Sequence, residues 1–448
     1  MKVAVVGLGR LGSPMAAVFA ASGMTVVGVD VSAKTVEALN EGRAPVTEPG
    51  LEEMLARAGS RLRATKDFET ALKDAEMSFV VVPTPSGEDG MFTLDYVLAA
   101  IKEIGSALRL GGGGRHVVVI TSTVMPGSTT GAVRTALESA SGLTVGDGVG
   151  LCYSPEFIAL GSVITDLTRP DMVLVGESDT ASGDLLISVL ATVSGRESPV
   201  ARMDPTSAEV AKLAVNTFVT TKISYANMLG EICERLPGAD AHLVAGALGL
   251  DSRIGPKYLK PGAPFGGPCF PRDNAALAAL ARSLGGRADI AEATDTINRR
   301  QVERVMALLR THRGRGNRVA TLGLSYKPGT PVRDESFGVT LAADCAKDGF
   351  EVIAWDPMCR IGSLSPLLNG ISVTDSLAEC ADFADLAVVT TPWPELQDLP
   401  SIISELGQPK VVIDCWQLLK EFPADRGTLL VQLGQGPRIN MDFAEART

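Results

Sequence analysis

The chain has 448 residues, 45% hydrophobic and 21% charged, proportions of a folded globular protein that exclude wholesale disorder, and its length calls for two or three domains. With 41 Lys and Arg against 52 Asp and Glu, the formal charge of −11 excludes a general electrostatic pull toward nucleic acid or an anionic membrane, though local glycine loops still allow an anionic ligand. Seven scattered cysteines with no Cys-x-x-Cys pair exclude a disulfide framework and a structural zinc site, so reduced thiols and no metal are expected.

Met1 to Gly7 already spell a strand entering a glycine turn, which leaves no room for a signal peptide, and no apolar run approaches the length of a membrane span; a cytoplasmic location is the expectation. Short β-branched runs then recur between helical stretches, at Val3 to Val6, Val26 to Val29, Phe79 to Val82, Val117 to Thr121 and Val149 to Tyr153. Strands alternating with helices predict a parallel, doubly wound sheet over residues 1–200. From Thr206 the pattern changes. Thr206 to Glu209 has the spacing of a capping box, and the stretch to about Arg235 contains no helix breaker except Gly230, so one long helix is predicted, linking the two halves and offering a dimer surface. A helical stretch follows to about residue 312, interrupted by the loop Pro261 to Pro271, and with the long helix it makes a central helical domain over 201–312 that carries the cysteine loop. After the glycine- and charge-rich segment Thr311 to Asn317, a second α/β unit over 313–448 is predicted, with strands at Arg318 to Leu322, Val352 to Trp355, Leu386 to Thr390, Val411 to Asp414 and Leu429 to Leu433. The fold class is α/β: two Rossmann-like doubly wound domains joined by a long central helix and a helical region.

The first turn carries a sharper signal. Gly7, Leu8, Gly9, Arg10, Leu11 and Gly12 follow a strand and open a helix, and Asp30 ends the next strand. Gly7 allows the tight turn, Gly9 a close approach to a pyrophosphate, and Gly12 helix packing on the sheet, while Asp30 suits a ribose 2′-hydroxyl and repels a 2′-phosphate. NAD is therefore expected over NADP, against the plain alternative of a glycine-rich turn. Pro83, Thr84 and Pro85, and Ser122 and Thr123, follow later strands at the edge where such sheets bind ligands; ordinary strand termination explains them equally.

Lys212 and Asn216, at i and i+4, share one helix face, where an ammonium and an amide suit a developing oxyanion; a solvated lysine with a polar neighbour is the bland reading. Glu156 follows a strand in Ser154-Pro155-Glu156-Phe157. In Gly266-Gly267-Pro268-Cys269-Phe270-Pro271-Arg272-Asp273 the cysteine follows a glycine pair near an expected helix start, where the dipole lowers a thiol pKa, and Asp273 lies four residues on, placed to act as its base or to orient water. A buried structural cysteine is the alternative.

The ordered set of glycine fingerprint, Thr123 segment, Ser154-Pro155-Glu156-Phe157, Lys212 with Asn216, and Gly266-Gly267-Pro268-Cys269 resembles the UDP-glucose/GDP-mannose dehydrogenase family, as do Glu48-Pro49-Gly50-Leu51, Lys327 in Gly323-Leu324-Ser325-Tyr326-Lys327-Pro328, and Asp356-Pro357. The resemblance implies transfer of two hydrides to two NAD, with the C6 alcohol of a nucleotide sugar becoming first an aldehyde and then a carboxylate. It implies that Cys269 forms a thiohemiacetal and then a thioester, that Lys212, Asn216 and Asp273 manage the proton and oxygen, and that Glu156, Asp273 and Thr123 position the hydrolytic water. It also places Phe157, Arg253, Tyr258, Lys260, Phe265, Gly266 and Lys327 around the substrate, Arg253 often from a neighbouring subunit.

Several positions depart from that pattern. Ala159 and Leu160 stand where UDP-glucose members have an arginine and a second glutamate, Trp416 replaces an arginine, Asp334 aligns with another beside Arg333, and Pro264 replaces a glycine. UDP-glucose stays the leading substrate, with other UDP-hexoses, N-acetylhexosamines and GDP-mannose behind it. Two rivals of other classes are a non-catalytic NAD or nucleotide-sugar binding protein and a two-electron hydroxyacid dehydrogenase, which needs no Cys269 and yields one NADH.

Overall fold

The computed structural model describes residues 1–111, 115–194, 198–358, 368, 370–408, 410–419, 422 and 427–437. The chain divides into two compact units, Met1–Val215 and Asn216–Thr448.

The first unit is built on an eight-stranded sheet: β1 (Lys2–Val6), β2 (Thr25–Val29), β3 (Leu62–Thr65), β4 (Met77–Val80), β5 (His116–Ile120), β6 (Val149–Tyr153), β7 (Val173–Glu177) and β8 (Val200–Met203), in the order β3-β2-β1-β4-β5-β6-β7-β8. The central strands are buried on both faces, which is why they read as unbroken apolar runs. In β1, Val3 and Val5 pack with Phe19 and Met15 of the helix Gly12–Ala21, while Ala4 and Val6 point the other way, against Ile101 and Ile104 of the helix Asp95–Gly111. Two aliphatic cores sandwich one sheet; truncating a fully buried member such as Ile104 to Ala costs about 2–5 kcal/mol. All pairings are parallel but one: β6 and β7 run antiparallel through Cys152↔Glu177 and Tyr153↔Gly176, so the wholly parallel sheet expected from the sequence is corrected there. The short helix Val163–Thr168 between these strands returns the chain to the end it left.

The second unit holds a six-stranded, all-parallel sheet: β9 (Arg318–Leu322), β10 (Glu351–Trp355), β11 (Ser372–Thr374), β12 (Leu386–Val389), β13 (Val411–Asp414) and β14 (Leu429–Gln432), ordered β11-β10-β9-β12-β13-β14. Alternation along β12 sends Leu386 and Val388 to one core, with Val305, Met306 and Leu309 of the helix Asp289–Thr311, and Ala387 and Val389 to the other.

The long helix spans Pro205–Cys233, 29 residues, or roughly 43 Å. Its start corrects the predicted capping box. Asp204, not Thr206, accepts from the Ser207 amide (2.9 Å), and Pro205 fills the first helical position, where a missing N–H does no harm. Glu209 does not turn back on Thr206; its carboxylate is held by the Gly127 and Thr129 amides instead.

Candidate active site

In the first unit the turn after β1 is shaped by what its glycines permit. A Cβ on Gly12 would lie 1.7 Å from the Gly7 carbonyl oxygen, and one on Gly7, whose φ is +94°, would lie 2.5 Å from that of Val81; only glycine lets strand, turn and helix close this tightly. Gly9 differs. A Cβ there meets nothing within 4 Å, so protein packing gives no reason for glycine, and the space suits a ligand backbone drawn close. The Asp30 carboxylate accepts from the Leu8 amide (2.7 Å) and the Ser32 amide (2.8 Å), tying the end of β2 to the glycine turn with acceptor capacity left for a ribose hydroxyl. Arg10 is exposed beside it, and Leu11 immediately precedes the helix. A dinucleotide fits this cradle: glycines where the chain must come close, an acid at the end of the neighbouring strand, and a helix N-terminus between them.

Along the same sheet edge, the Thr84 hydroxyl donates to the Thr123 carbonyl (2.7 Å) and the Ser122 hydroxyl to that of Val82 (2.7 Å). These two hydroxyls stitch the segment after β4 to the segment after β5, while Pro83 and Pro85 stay exposed. Past β6, Lys212, nearly buried, donates from Nζ to the Glu156 carbonyl (2.7 Å) and stands 4.5 Å from the Phe157 ring centroid. Burial pushes the Glu156 carboxyl up to about 7, against the opposing pull of the Lys212 ammonium. The same loop is held further on by Glu48, whose carboxylate accepts from the Gly161 and Val163 amides at 2.8 Å each, and by Asp166, which accepts from the Ala159 amide. Leu160, one of the departures from the pattern of the resemblance, packs against the core.

In the second unit the cysteine loop is fixed before its helix begins. Asn298 grips the backbone of Phe265 at both ends: its Oδ1 accepts from the Phe265 amide (2.8 Å) and its Nδ2 donates to the Phe265 carbonyl (2.9 Å). Gly266 and Gly267 then let the chain lie against the 326–335 loop. Cβ atoms there would fall 2.2 Å from the Glu335 carbonyl oxygen and 2.6 Å from the Tyr326 ring, and the Gly267 amide donates to the Asp334 carbonyl (3.0 Å).

Cys269 is the N-cap residue of the helix Phe270–Ser283, and it is exposed. The other described cysteines are buried; Cys152 and Cys345 are pushed up to about 12 by desolvation, which leaves them inert thiols. Asp273, one turn on and 1% exposed, accepts from Asn216 Nδ2 (2.6 Å) and faces Arg272 Nε at 3.6 Å. The next turn repeats the contact, with Asn274 Nδ2 donating to Thr220 Oγ1 (2.9 Å), so two successive turns of the long helix seat the start of the cysteine helix. Tyr258 adopts φ +63° and meets the Phe270 ring edge-on, as does Phe265, at centroid distances of 6.3 and 6.2 Å.

Arg253 is not drawn into this group. It is exposed and pairs with Asp251 in its own turn; Lys260 is exposed as well, and Lys327 lies partly buried in the turn after β9. That turn copies the first unit's device, since a Cβ on Gly338 would lie 1.8 Å from the Gly323 oxygen and Asp356 accepts from the Leu324 and Ser325 amides. Asp356 also accepts from the Met358 amide and Trp393 Nε1 and is fully buried, so it braces the loop and offers nothing outward. Trp416, another of those departures, donates from Nε1 to the Thr390 carbonyl (3.0 Å). Sequence reasoning passed over Asn298, and it named Glu48 only within a family signature and Glu209 only within a capping box, not for the backbone each one holds. Each acts on backbone far away in sequence, and the one local cue at Glu209 pointed to a cap.

A dinucleotide cradle in one α/β unit, and an exposed N-cap cysteine with a buried acid one turn on in the other, define a nucleotide-dependent oxidoreductase class. Family models for the UDP-glucose/GDP-mannose dehydrogenases match all three parts of the chain: the NAD-binding domain over residues 1–194, the central domain over 206–300 and the UDP-binding domain over 320–421. The chain is 37% identical over 418 residues to UDP-glucose 6-dehydrogenase AglM of Haloferax volcanii, covering 92% of this chain and 96% of that protein. It is 36% identical over 360 residues to GDP-mannose 6-dehydrogenase of Pseudomonas putida, covering 80% and 81%. Among solved structures, a UDP-glucose dehydrogenase from Pyrobaculum islandicum superposes with a TM-score of 0.85 at 34% identity, covering 95% of this chain and 97% of that one. The chain belongs to the UDP-glucose/GDP-mannose dehydrogenase family and is an NAD-dependent nucleotide-sugar dehydrogenase.

Proposed function

We propose that the protein oxidises the C6 alcohol of UDP-glucose to the carboxylate in two successive two-electron steps, with Cys269 holding the carbon between them. The observation that carries this reading is the exposed cysteine at a helix N-cap with Asp273 fixed one turn away by Asn216. NAD supplies the hydride acceptor for each oxidation; Gly7, Leu8, Gly9, Arg10, Leu11, Gly12 and Asp30 are the residues to hold it, with Pro83, Thr84, Pro85, Ser122 and Thr123 along the sheet edge. Lys212 and Asn216, one turn apart on one helix face, steady the substrate oxygen as it loses its proton, and Asp273 receives that proton. The Cys269 sulfur then bonds to the aldehyde carbon and its oxygen takes up a proton, giving a thiohemiacetal that cannot diffuse away. Loss of the second hydride and the hydroxyl proton leaves a thioester. In hydrolysis, water oxygen bonds to the acyl carbon, the carbon–sulfur bond breaks, and Cys269 departs as the thiolate. Glu156, with its carboxyl raised to about 7, takes the water proton while Thr123 and Asp273 orient the water.

Phe157, Tyr258, Lys260, Phe265, Gly266 and Lys327 are assigned to the substrate, and Arg253 to a substrate reached from a second copy of the chain. A homodimer through the long helix is supported by Phe218, Tyr225 and Ile232, exposed apolar residues seven apart on one stripe. UDP-glucose leads because similarity to a UDP-glucose enzyme extends over more of the chain than similarity to the GDP-mannose enzymes. The test is kcat/KM for UDP-glucose, UDP-N-acetylhexosamines and GDP-mannose with NAD. UDP-glucose is expected to exceed the others at least tenfold; preference for another nucleotide sugar overturns the substrate, and turnover of none overturns the reading.

A further inference from the structure

Glu209 is fully buried, and burial, with a smaller push from the Asp204 charge, raises its pKa against the pull of the backbone amides that it accepts from. A carboxylate costs several kcal/mol to bury unless its oxygens are matched by donors. Here both are matched: Oε2 accepts from the Gly127 amide (2.6 Å) and Oε1 from the Thr129 amide (2.8 Å). The two donors close the arc that begins at Thr123, whose other end is tied by the Thr84 hydroxyl to the Thr123 carbonyl. Gly127 has φ +90°, so the arc turns sharply at the point where Glu209 grips it. On the same helix, three residues on, Lys212 holds the Glu156 carbonyl. One helical turn therefore sets the place of both loops whose side chains are assigned to the hydrolytic water.

We propose that Glu209 is a positioning residue for thioester hydrolysis, fixing the Thr123 arc in the frame that Lys212 gives to Glu156; this rests on the function proposed above. Glu209 touches no reacting atom and acts through Thr123. A glutamine in its place keeps the size but turns an NH2 group toward one of the two amide donors, which breaks the bidentate grip.

The experiment compares the full-length protein with Glu209→Gln and Glu209→Asp, using NAD and UDP-glucose, steady-state kinetics, and intact-protein mass after rapid quench. Glu209→Gln is expected to lower kcat at least tenfold with KM for NAD within twofold, to release a burst of two NADH per active site, and to accumulate an acyl adduct on Cys269. Glu209→Asp, with both acceptor oxygens on a shorter arm, is expected between the two. A Glu209→Gln variant that keeps kcat within twofold of the parent, or loses kcat and NAD affinity together with no adduct, overturns the proposal. Should that variant fail to fold, Glu209→Asp decides alone: slowed turnover with adduct supports the assignment, and slowed turnover without adduct, or unchanged turnover, overturns it. A parent that oxidises no nucleotide sugar overturns the functional reading itself, a result separate from an active parent matched by its Glu209→Gln variant.

Discussion

Glu156 is the residue whose environment makes the clearest demand on function. Desolvation raises its carboxyl from 4.5 to about 7, so the ionised form that accepts a proton is populated only as pH rises through about 7. The expected kcat profile has an ascending limb there, and Glu156→Gln lowers kcat and removes the limb; an unchanged limb in that variant assigns it to another group. Stability runs the other way. A carboxyl whose folded pKa exceeds its unfolded value favours folding below about 4.5 and loses that contribution as pH rises through about 7, so Glu156→Gln is expected to be the more thermally stable protein at pH 8. The tight turn at Gly7 and Gly12, the place of Asp30 at the end of β2 and that of Cys269 at a helix start were legible in the sequence because each is written within a few residues. The grips of Glu48 and Glu209 were not, since their amide partners lie 80 to 115 residues away and no local pattern announces them.

At the scale of elements, the cysteine helix starts where it does because the loop before it is pinned. Asn298→Ala leaves the Phe265 N–H and C=O without the partner that now satisfies both, in a buried setting, at a cost of about 2–4 kcal/mol. Thermal unfolding is expected to record that loss, and alkylation of Cys269 by iodoacetamide is expected to change in rate; a variant matching the parent in both contradicts the pinning role. The long helix and the strands β1, β2, β5, β6, β9, β10, β12, β13 and β14 followed from apolar runs and breakers, with ends shifted by a residue or so; β4 lay two residues earlier than expected. The short strands β3, β7, β8 and β11 did not follow, and the reversed β7 least of all, because apolar content says nothing of direction. The capping box failed for a related reason: three-residue spacing suits both a cap and a residue aimed elsewhere, and a distant pair of amides decided it.

Over the whole molecule, His116 links stability to pH. It is buried, bonded through its ring nitrogens to the Ala75 carbonyl and the Ser78 hydroxyl, and desolvation lowers its pKa from 6.5 to about 4. The unfolded chain therefore binds a proton that the folded one refuses between those values, and about 3 kcal/mol is expected to be lost as pH falls from 6.5 to 4. Denaturant titrations of the parent and His116→Gln check this: the gap between them is expected to change across that window, and parallel curves contradict it. The exposed stripe of Phe218, Tyr225 and Ile232 predicts a dimer by light scattering that Phe218→Asp with Tyr225→Asp converts to monomer; a monomeric parent removes that expectation. The central claim, that a thioester on Cys269 carries the carbon from alcohol to acid, is tested most directly by counting NADH formed per UDP-glucose consumed at completion. Two NADH per sugar, with no acid formed by Cys269→Ala, is the result expected; one NADH per sugar with free aldehyde as product contradicts it.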